Sequence, residues 1–340
     1  MLGSVALTDT DTLGAEYRAL REGCGLFDRS ERGKLALSGA GAVEFLNGQV
    51  TNELAELRPG EGCYAAFLTH KGKMLGDLRI LAVGDPAQDA PQELLLDTER
   101  SALQGLFDMI RRSKIGYDVE LHKRTLERAL LSLIGPRAAE IAGAEGLAVP
   151  EHSATPVDID GIAALAIRTD VGVDLLCATA DGERLRVALL ARGALAVTEQ
   201  AAECVRVESG RPRYGLDVDD STIPQEAGLN ERAVSFTKGC YVGQETVARL
   251  HWRGKPNRHL RGLLLSAPAL PGAELHLGER SVGRIGSAVL SPALGPIALA
   301  LVRREAEPGV TVSVGEDGAS AEVVELPFSG GGPSGASSGA

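Results

Sequence analysis

The densest chemistry in this chain lies in Lys238-Gly239-Cys240-Tyr241-Val242-Gly243-Gln244-Glu245, where an amine, a thiol and two glycines precede a stretch with helical spacing. From Gln244 onward, Val247, Ala248 and Leu250 fall on one helical face, which places Cys240 beside a helix N-terminus. Unpaired N–H groups and the positive end of the helix dipole favour a thiolate, and Lys238 supplies a second cationic influence. The expectation is a thiol of lowered pKa, with Cys240 as the reactive residue and Lys238 as its helper. The competing reading is a small buried hydrophobe, the usual fate of a free cysteine.

A basic stretch follows. Between Thr246 and Ala273 there is no Asp or Glu, yet Arg249, Arg253, Lys255, Arg258 and Arg261 stand there with His251 and His259. Such a segment is either an ordinary solvated surface or an anion-binding rim able to meet a polyglutamate tail or a phosphate backbone. The chain as a whole is acidic, with 46 Asp and Glu against 35 Lys and Arg and a formal charge of -11, which argues against general affinity for nucleic acid or anionic membranes. Its five cysteines are scattered without a C-x-x-C pair, so no disulfide framework, metal site or cluster-binding motif is expected, and the thiols should be reduced. No apolar run is long enough to span a bilayer, and Asp9, Asp11 and Glu16 stand where a signal peptide would carry a basic region. A cytoplasmic location is the simplest expectation.

The elements that must position these groups can be traced in order. With 340 residues, 44% of them hydrophobic, the chain should divide into more than one unit. The first twenty residues suit an amphipathic helix with Tyr17 and Leu20 inward. Lys34 to Leu37 alternates as a strand, Ser38 to Gly41 turns, and Ala42 to Leu46 opens a helix. Gly39-x-Gly41 invites a dinucleotide-binding reading, but Glu44 replaces the third glycine and its carboxylate would oppose a pyrophosphate. The same unit recurs 96 residues later, where Leu131-x-Leu133-x-Gly135-x-x-Ala138-x-Glu140 matches Leu35-x-Leu37-x-Gly39-x-x-Ala42-x-Glu44, so two similar strand-turn-helix modules are expected. Between the copies, 63–68 and 74–83 should form a hairpin about His70 to Lys73, and 94–96 a buried strand. Asp97-Thr98 should then cap a helix bearing Leu103, Leu106, Phe107 and Ile110. Further on, 162–167 and 173–177 pair as strands, and 183–190 and 199–207 are helical, the latter stopping at Gly210. From His259 the texture becomes short apolar runs between turns, at 263–265, 282–289, 297–302, 310–314 and 321–326, a compact all-β unit. Residues 329–340 are nearly all Gly, Ser, Ala and Pro and are expected to be disordered.

The octet matches every position of K-G-C-[FY]-x-G-Q-E, and on it the chain resembles the YgfZ family of folate-binding proteins, relatives of the T-protein aminomethyltransferase of the glycine cleavage system. Gly25-Leu26-Phe27-Asp28 with Gly33-Lys34, Phe45 to Asn52, and the segments from Ser209 to Leu229 are similar to both families. The resemblance implies an α+β fold with two interleaved α/β units of ferredoxin-like or Greek-key topology over residues 1–248 and a C-terminal β-barrel over 249–328. These surround a channel for tetrahydrofolate. It also implies cofactor-binding residues: Asp77, the one acid left of the T-protein's Asp-Asp-Leu run; Asp174 for the pterin edge; and Arg206 in the folate channel, with a turn-forming Asp and a surface Arg as the structural alternatives. Gln244 and Glu245 of the octet and Arg249 of the basic stretch complete the set. The function implied is a tetrahydrofolate-binding protein that supports assembly or repair of iron-sulfur enzymes, with those enzymes as clients and Cys240 at work. Folate-dependent aminomethyl transfer is the alternative, and a tRNA-binding module is a third.

Overall fold

The computed structural model describes residues 10–85, 87–316 and 318–329. Expectations for residues 1–9 and for the tail from 330 onward lie outside the described residues.

Two sheets share the first two thirds of the chain, which passes from the second to the first between Gly25–Asp28 and Gly33–Ser38 and back between Glu120–Lys123 and Arg128–Ile134. The five-stranded sheet runs in the order Gly62–Leu68, Met74–Val83, Glu93–Thr98, Gly33–Ser38, Glu120–Lys123. The six-stranded sheet runs in the order Leu195–Ala196, Gly25–Asp28, Arg128–Ile134, Gly172–Ala178, Ile162–Arg168, Ala154–Ile159. Period-two alternation gives each sheet two faces. The outer face of the first carries Leu35, Leu37, Leu78, Ile80, Leu94 and Leu96 against Leu106 and Ile110 of the helix Arg100–Ser113. The outer face of the second carries Leu131, Leu133, Val173 and Leu175 against Ile141, Leu185 and Leu189. The inner faces meet, joined by Ala36, Leu81 and Leu95 from one sheet and Ala154 and Ile167 from the other.

Both copies of the repeated segment fold as strand, turn and helix, one in each sheet: Gly33–Ser38 with Ala42–Asn47, and Arg128–Ile134 with Ala138–Ile141. Their shared glycine has one physical reason. Gly39 and Gly135 take φ of 105° and 125°, and a Cβ would lie 2.4 Å from the Asp118 carbonyl oxygen and 2.5 Å from that of Gly23. The last third closes into a barrel in the order Arg258–Leu265, Gly295–Arg303, Arg280–Ser291, Glu274–Leu277, Thr311–Val314, Ala319–Val324. The mixed α+β fold with a closed six-stranded barrel is the expected class.

Two expectations fail locally. Asp97 and Thr98 do not cap a helix: they end the strand Glu93–Thr98, and the helix starts at Arg100 after Glu99. The strand Glu274–Leu277 went unseen because it spans four residues and its register is broken by a bulge at Leu275/His276.

Candidate functional site

The inner faces change character along the strands. At one end they are apolar; at the other, the same alternation presents charge. In Met74–Val83, Asp77 and Arg79 point with Leu81 into the gap, and Arg79 lies opposite Tyr64 on one neighbour and Asp97 on the other. From the facing sheet, Ser132 and Asp174 are opposite one another in adjacent strands. Arg79 spans the gap: its Nη1 donates to Asp174 Oδ2 at 2.7 Å and its Nη2 to Asp97 Oδ2 at 2.7 Å. Around this bridge opens a cavity of about 160 Å³, lined by side chains from both sheets.

Asp77, Asp174 and Arg206, of the residues expected to bind a cofactor, line this cavity. Asp77 is 3% exposed and makes no ion pair among the described residues. Burial raises its carboxyl to about 6, while the neighbouring Tyr64 hydroxyl pulls the other way. Asp174 is already engaged, accepting from Ser132 Oγ at 2.6 Å and from Arg79. Arg206 is more fully engaged: it donates to Glu203 from Nε (2.9 Å) and from Nη2 (2.7 Å), and to Asp217 (2.9 Å), Ser287 Oγ (2.5 Å) and the Arg211 carbonyl (2.5 Å). All five of its N–H groups are thereby used, so the expected reach of Arg206 into a ligand channel gives way to a structural role between helix and barrel.

The octet lies elsewhere. Cys240, Lys238, Gln244, Glu245 and Arg249 are absent from the cavity lining. The helix Gln244–Arg253 does begin just after Cys240, with Gly243 before it at φ 84°. Cys240 is exposed; Cys24, Cys177 and Cys204 are buried and Cys63 half-buried. The ammonium of Lys238 is turned into the loop after Ala42–Asn47, donating to Asn47 O (2.7 Å), Asn47 Oδ1 (2.9 Å), Val50 O (3.0 Å) and Asn52 O (2.5 Å). Burial lowers it to about 8. This corrects the expected helper role, because Lys238 fastens the segment that carries Cys240 and does not direct its charge at the thiol. Glu245 and Arg249 are exposed on the helix. The basic stretch is not one rim either: Arg258 is paired with Glu226 and Arg261 with Glu325.

Several groups of the cavity went unread in the sequence. Arg32 holds Asp97 (2.7 Å) and Glu99, and Arg232 holds Glu151 while lying 4.6 Å over the Tyr64 ring. His152 lies near-parallel to Tyr64, with ring centroids 6.1 Å apart and a 23° interplanar angle, and burial lowers it to about 4, so it is neutral. The signal for Arg79 was present, beside Asp77 at i and i+2 inside an otherwise apolar strand; Arg32, Glu151, His152 and Arg232 come from loops and a short helix and carried none. Eight buried side-chain polar atoms lack a protein partner among the described residues, and five of them belong to residues that line this cavity: Arg29 Nε, Arg79 Nε, both ring nitrogens of His152 and Ser209 Oγ. Buried polar groups in folded proteins are nearly always satisfied, so this cluster marks a place for a polar occupant. A flat aromatic pair, one carboxyl free of ion pairing and this set of polar atoms together fit a planar, nitrogen-rich ring of the tetrahydrofolate kind. Among the described residues no three His, Cys, Asp or Glu side chains gather as a metal site, and no helix is long and apolar enough to cross a membrane.

The GCVT N-terminal domain family matches residues 7–238, and the glycine cleavage T-protein C-terminal barrel domain matches residues 258–329. An aminomethyltransferase of Streptomyces avermitilis is 32% identical over 338 residues, covering 92% of this chain and 88% of its own length. That of Synechococcus sp. (strain CC9311) is 30% identical over 334 residues, covering 93% and 90%. Among solved structures, glycine cleavage system aminomethyltransferase T from Bartonella henselae superposes with a TM-score of 0.83 at 25% identity, over 96% of this chain and 92% of the other.

Proposed function

Since this chain belongs to the GCVT family, carrying both its N-terminal domain and its C-terminal barrel, we propose that the cavity between its sheets holds a tetrahydrofolate and that the protein is a folate-dependent one-carbon transferase of the aminomethyltransferase type. The observation that carries this reading is Asp77, a buried cavity carboxyl without an ion pair and raised to about 6. Tetrahydrofolate, when bound, supplies a nitrogen that accepts the one-carbon unit. Asp77 can hold or release a proton near neutral pH, which suits a general acid or base beside that nitrogen. Tyr64 and His152 line the cavity beside Asp77, and the paired Arg79 holds both sheets at a fixed spacing around it. Calorimetry with tetrahydrofolate, together with an assay for ammonia release and one-carbon transfer from an aminomethyl donor, tests the reading. Wild type should bind saturably and turn over, whereas Asp77→Asn should bind but lose turnover by about a hundredfold or more, the size of a general acid–base contribution. Wild-type protein without saturable tetrahydrofolate binding would sink the proposal.

A second reading is favoured by Cys240, the cysteine classed as exposed among the described residues, held outside the cavity on a segment tied down by Lys238. On it the protein is an accessory factor for iron-sulfur enzymes, acting through that thiol in the cytoplasm, with the exposed Arg249, Arg253 and Lys255 as groups able to contact tRNA. A deletion strain complemented with Cys240→Ala or Asp77→Asn separates the two. Rescue of cluster-enzyme activity by Asp77→Asn but not by Cys240→Ala supports the accessory role, and the reverse pattern supports transfer.

A further inference from the structure

Of the seven arginines that line the cavity, six hold carboxylates: Arg32, Arg79, Arg206, Arg211, Arg213 and Arg232 each form at least one ion pair. The guanidinium of Arg29 holds none among the described residues, and its Nε is sealed from solvent without a partner. Its placement follows from the sheet. Phe27 faces Ser132 on the inner side of the strand Gly25–Asp28, and Arg29 extends that ladder, its backbone N–H donating to the Leu130 carbonyl at 2.8 Å. Two residues beyond Phe27, its side chain returns to the same inner face and lies 5.5 Å over the Phe27 ring.

The carboxylates nearby are already taken. Asp174 accepts from Ser132 and Arg79, and Glu203 accepts from Arg206 and from Arg213 at 2.7 Å. Burial outweighs their attraction and lowers the pKa of Arg29, which is what an uncompensated cation shows. A half-buried guanidinium with one nitrogen sealed from water loses hydration without a protein carboxylate to replace it, and an anion in the cavity would supply that partner. Ser209 Oγ, also buried and unpartnered, adds a second donor to the same cavity.

We propose that Arg29 is the anion-recognition residue of this cavity, binding a carboxylate- or phosphate-class oxyanion and so selecting for an occupant that carries one. The inference rests on reading the cavity as a ligand site, and it deepens that reading by naming the group recognised. The oxyanion belongs either to the glutamate tail of the folate or to a separate anionic substrate.

The test uses the full chain with Arg29→Met, which keeps the apolar stem over Phe27, and Arg29→Lys, which keeps the charge. Thermal denaturation is followed while acetate or phosphate replaces chloride at constant ionic strength. Wild type should show a saturable rise in Tm, Arg29→Lys a weaker one and Arg29→Met none, with Tm in chloride no lower for Arg29→Met than for wild type. Calorimetry then distinguishes the sources. If the tail is the source, Arg29→Met weakens tetrahydrofolate roughly tenfold to a hundredfold and leaves a tetrahydropterin without the benzoylglutamate tail unchanged. An unchanged tetrahydrofolate affinity, with the anion response lost, assigns the oxyanion to a separate substrate. Absence of a saturable anion response in wild type, or its survival in Arg29→Met, overturns the inference. Failure of the folate reading looks different: wild type then ignores tetrahydrofolate while the response to acetate or phosphate persists.

Discussion

At the scale of single residues, Asp77 and Cys240 represent two opposite environments. Burial raises Asp77 from its ordinary 3.8 to about 6, so the folded protein holds that proton more tightly than the unfolded chain does. The resulting stabilisation is full below pH of about 4 and is lost as pH rises through about 6. Asp77→Asn, which removes the ionisation, should therefore match wild type at pH 4 and exceed it by roughly 3 kcal/mol at pH 8. Urea denaturation at the two pH values measures the difference, and a variant less stable than wild type at pH 8 would contradict this account. Cys240 stands in solvent, whereas burial pushes Cys24 and Cys177 up to about 11 and Cys63 and Cys204 up to about 12. Iodoacetamide at neutral pH should label Cys240 alone in the native protein and all five after denaturation, read by peptide mass spectrometry. Early labelling of any buried cysteine would count against the packing described.

At the scale of elements, the helix Gln244–Arg253 is seated on the hairpin of the five-stranded sheet by two glycines. Gly243 takes φ 84°, and a Cβ there would stand 2.5 Å from the Thr69 carbonyl oxygen and 2.9 Å from Leu68 Cβ. Gly72 in the hairpin turn meets Thr246 in the same contact. Gly243→Ala combines a left-handed backbone penalty with a clash against main chain that cannot swing aside, and should lower stability by roughly 2 to 4 kcal/mol. Amide exchange would be expected to quicken first in 244–253, the element released, and uniform quickening across both sheets would argue against a local seat. Lys238 secures the other side of the same segment through its four oxygen acceptors, so the exposed thiol sits on an anchored loop.

At the scale of the molecule, barrel and sheets are joined by two buried polar knots on the helix Glu199–Glu208. Arg206 binds Glu203 on its own helix, Asp217 and the barrel's Ser287, whose amide donates to Asp217 Oδ1 at 2.7 Å. Glu208, with no exposure, accepts from Tyr17 at 2.9 Å, from Arg21 and from Ser291 Oγ, gathering the N-terminal helix and the barrel onto one carboxylate. Arg206→Met leaves Glu203 and Asp217 without their shared cation and should cost about 3 to 5 kcal/mol, the usual penalty for breaking one side of a buried pair. Because Arg206 has no N–H left for a ligand, tetrahydrofolate affinity measured well below the melting temperature should change little. A large loss of affinity with an intact fold would return Arg206 to the binding site.

Local information in the chain was enough for the longer elements but not for the strands Glu120–Lys123, Ala154–Ile159, Leu195–Ala196 and Glu274–Leu277. Alternation in 33–38 and 128–134 and the helical face of 103–110 can be read from neighbours in sequence, whereas the positive-φ glycines at 39 and 135 answer to the distant main chain at Asp118 and Gly23. The octet and the segments shared with the T-protein likewise pointed to the family from sequence alone. The cavity is a different kind of object. Its wall is drawn from strands that cross between two sheets, so Asp174 meets Arg79 across 95 positions and Arg32 meets Asp97 across 65. Whether Asp174, Arg206 and Lys238 face a ligand or other protein groups depends on what the packing brings within hydrogen-bonding distance of each. Only the tertiary structure decides it, because a side chain's partner is set by where two sheets pack and not by what precedes or follows it in the chain.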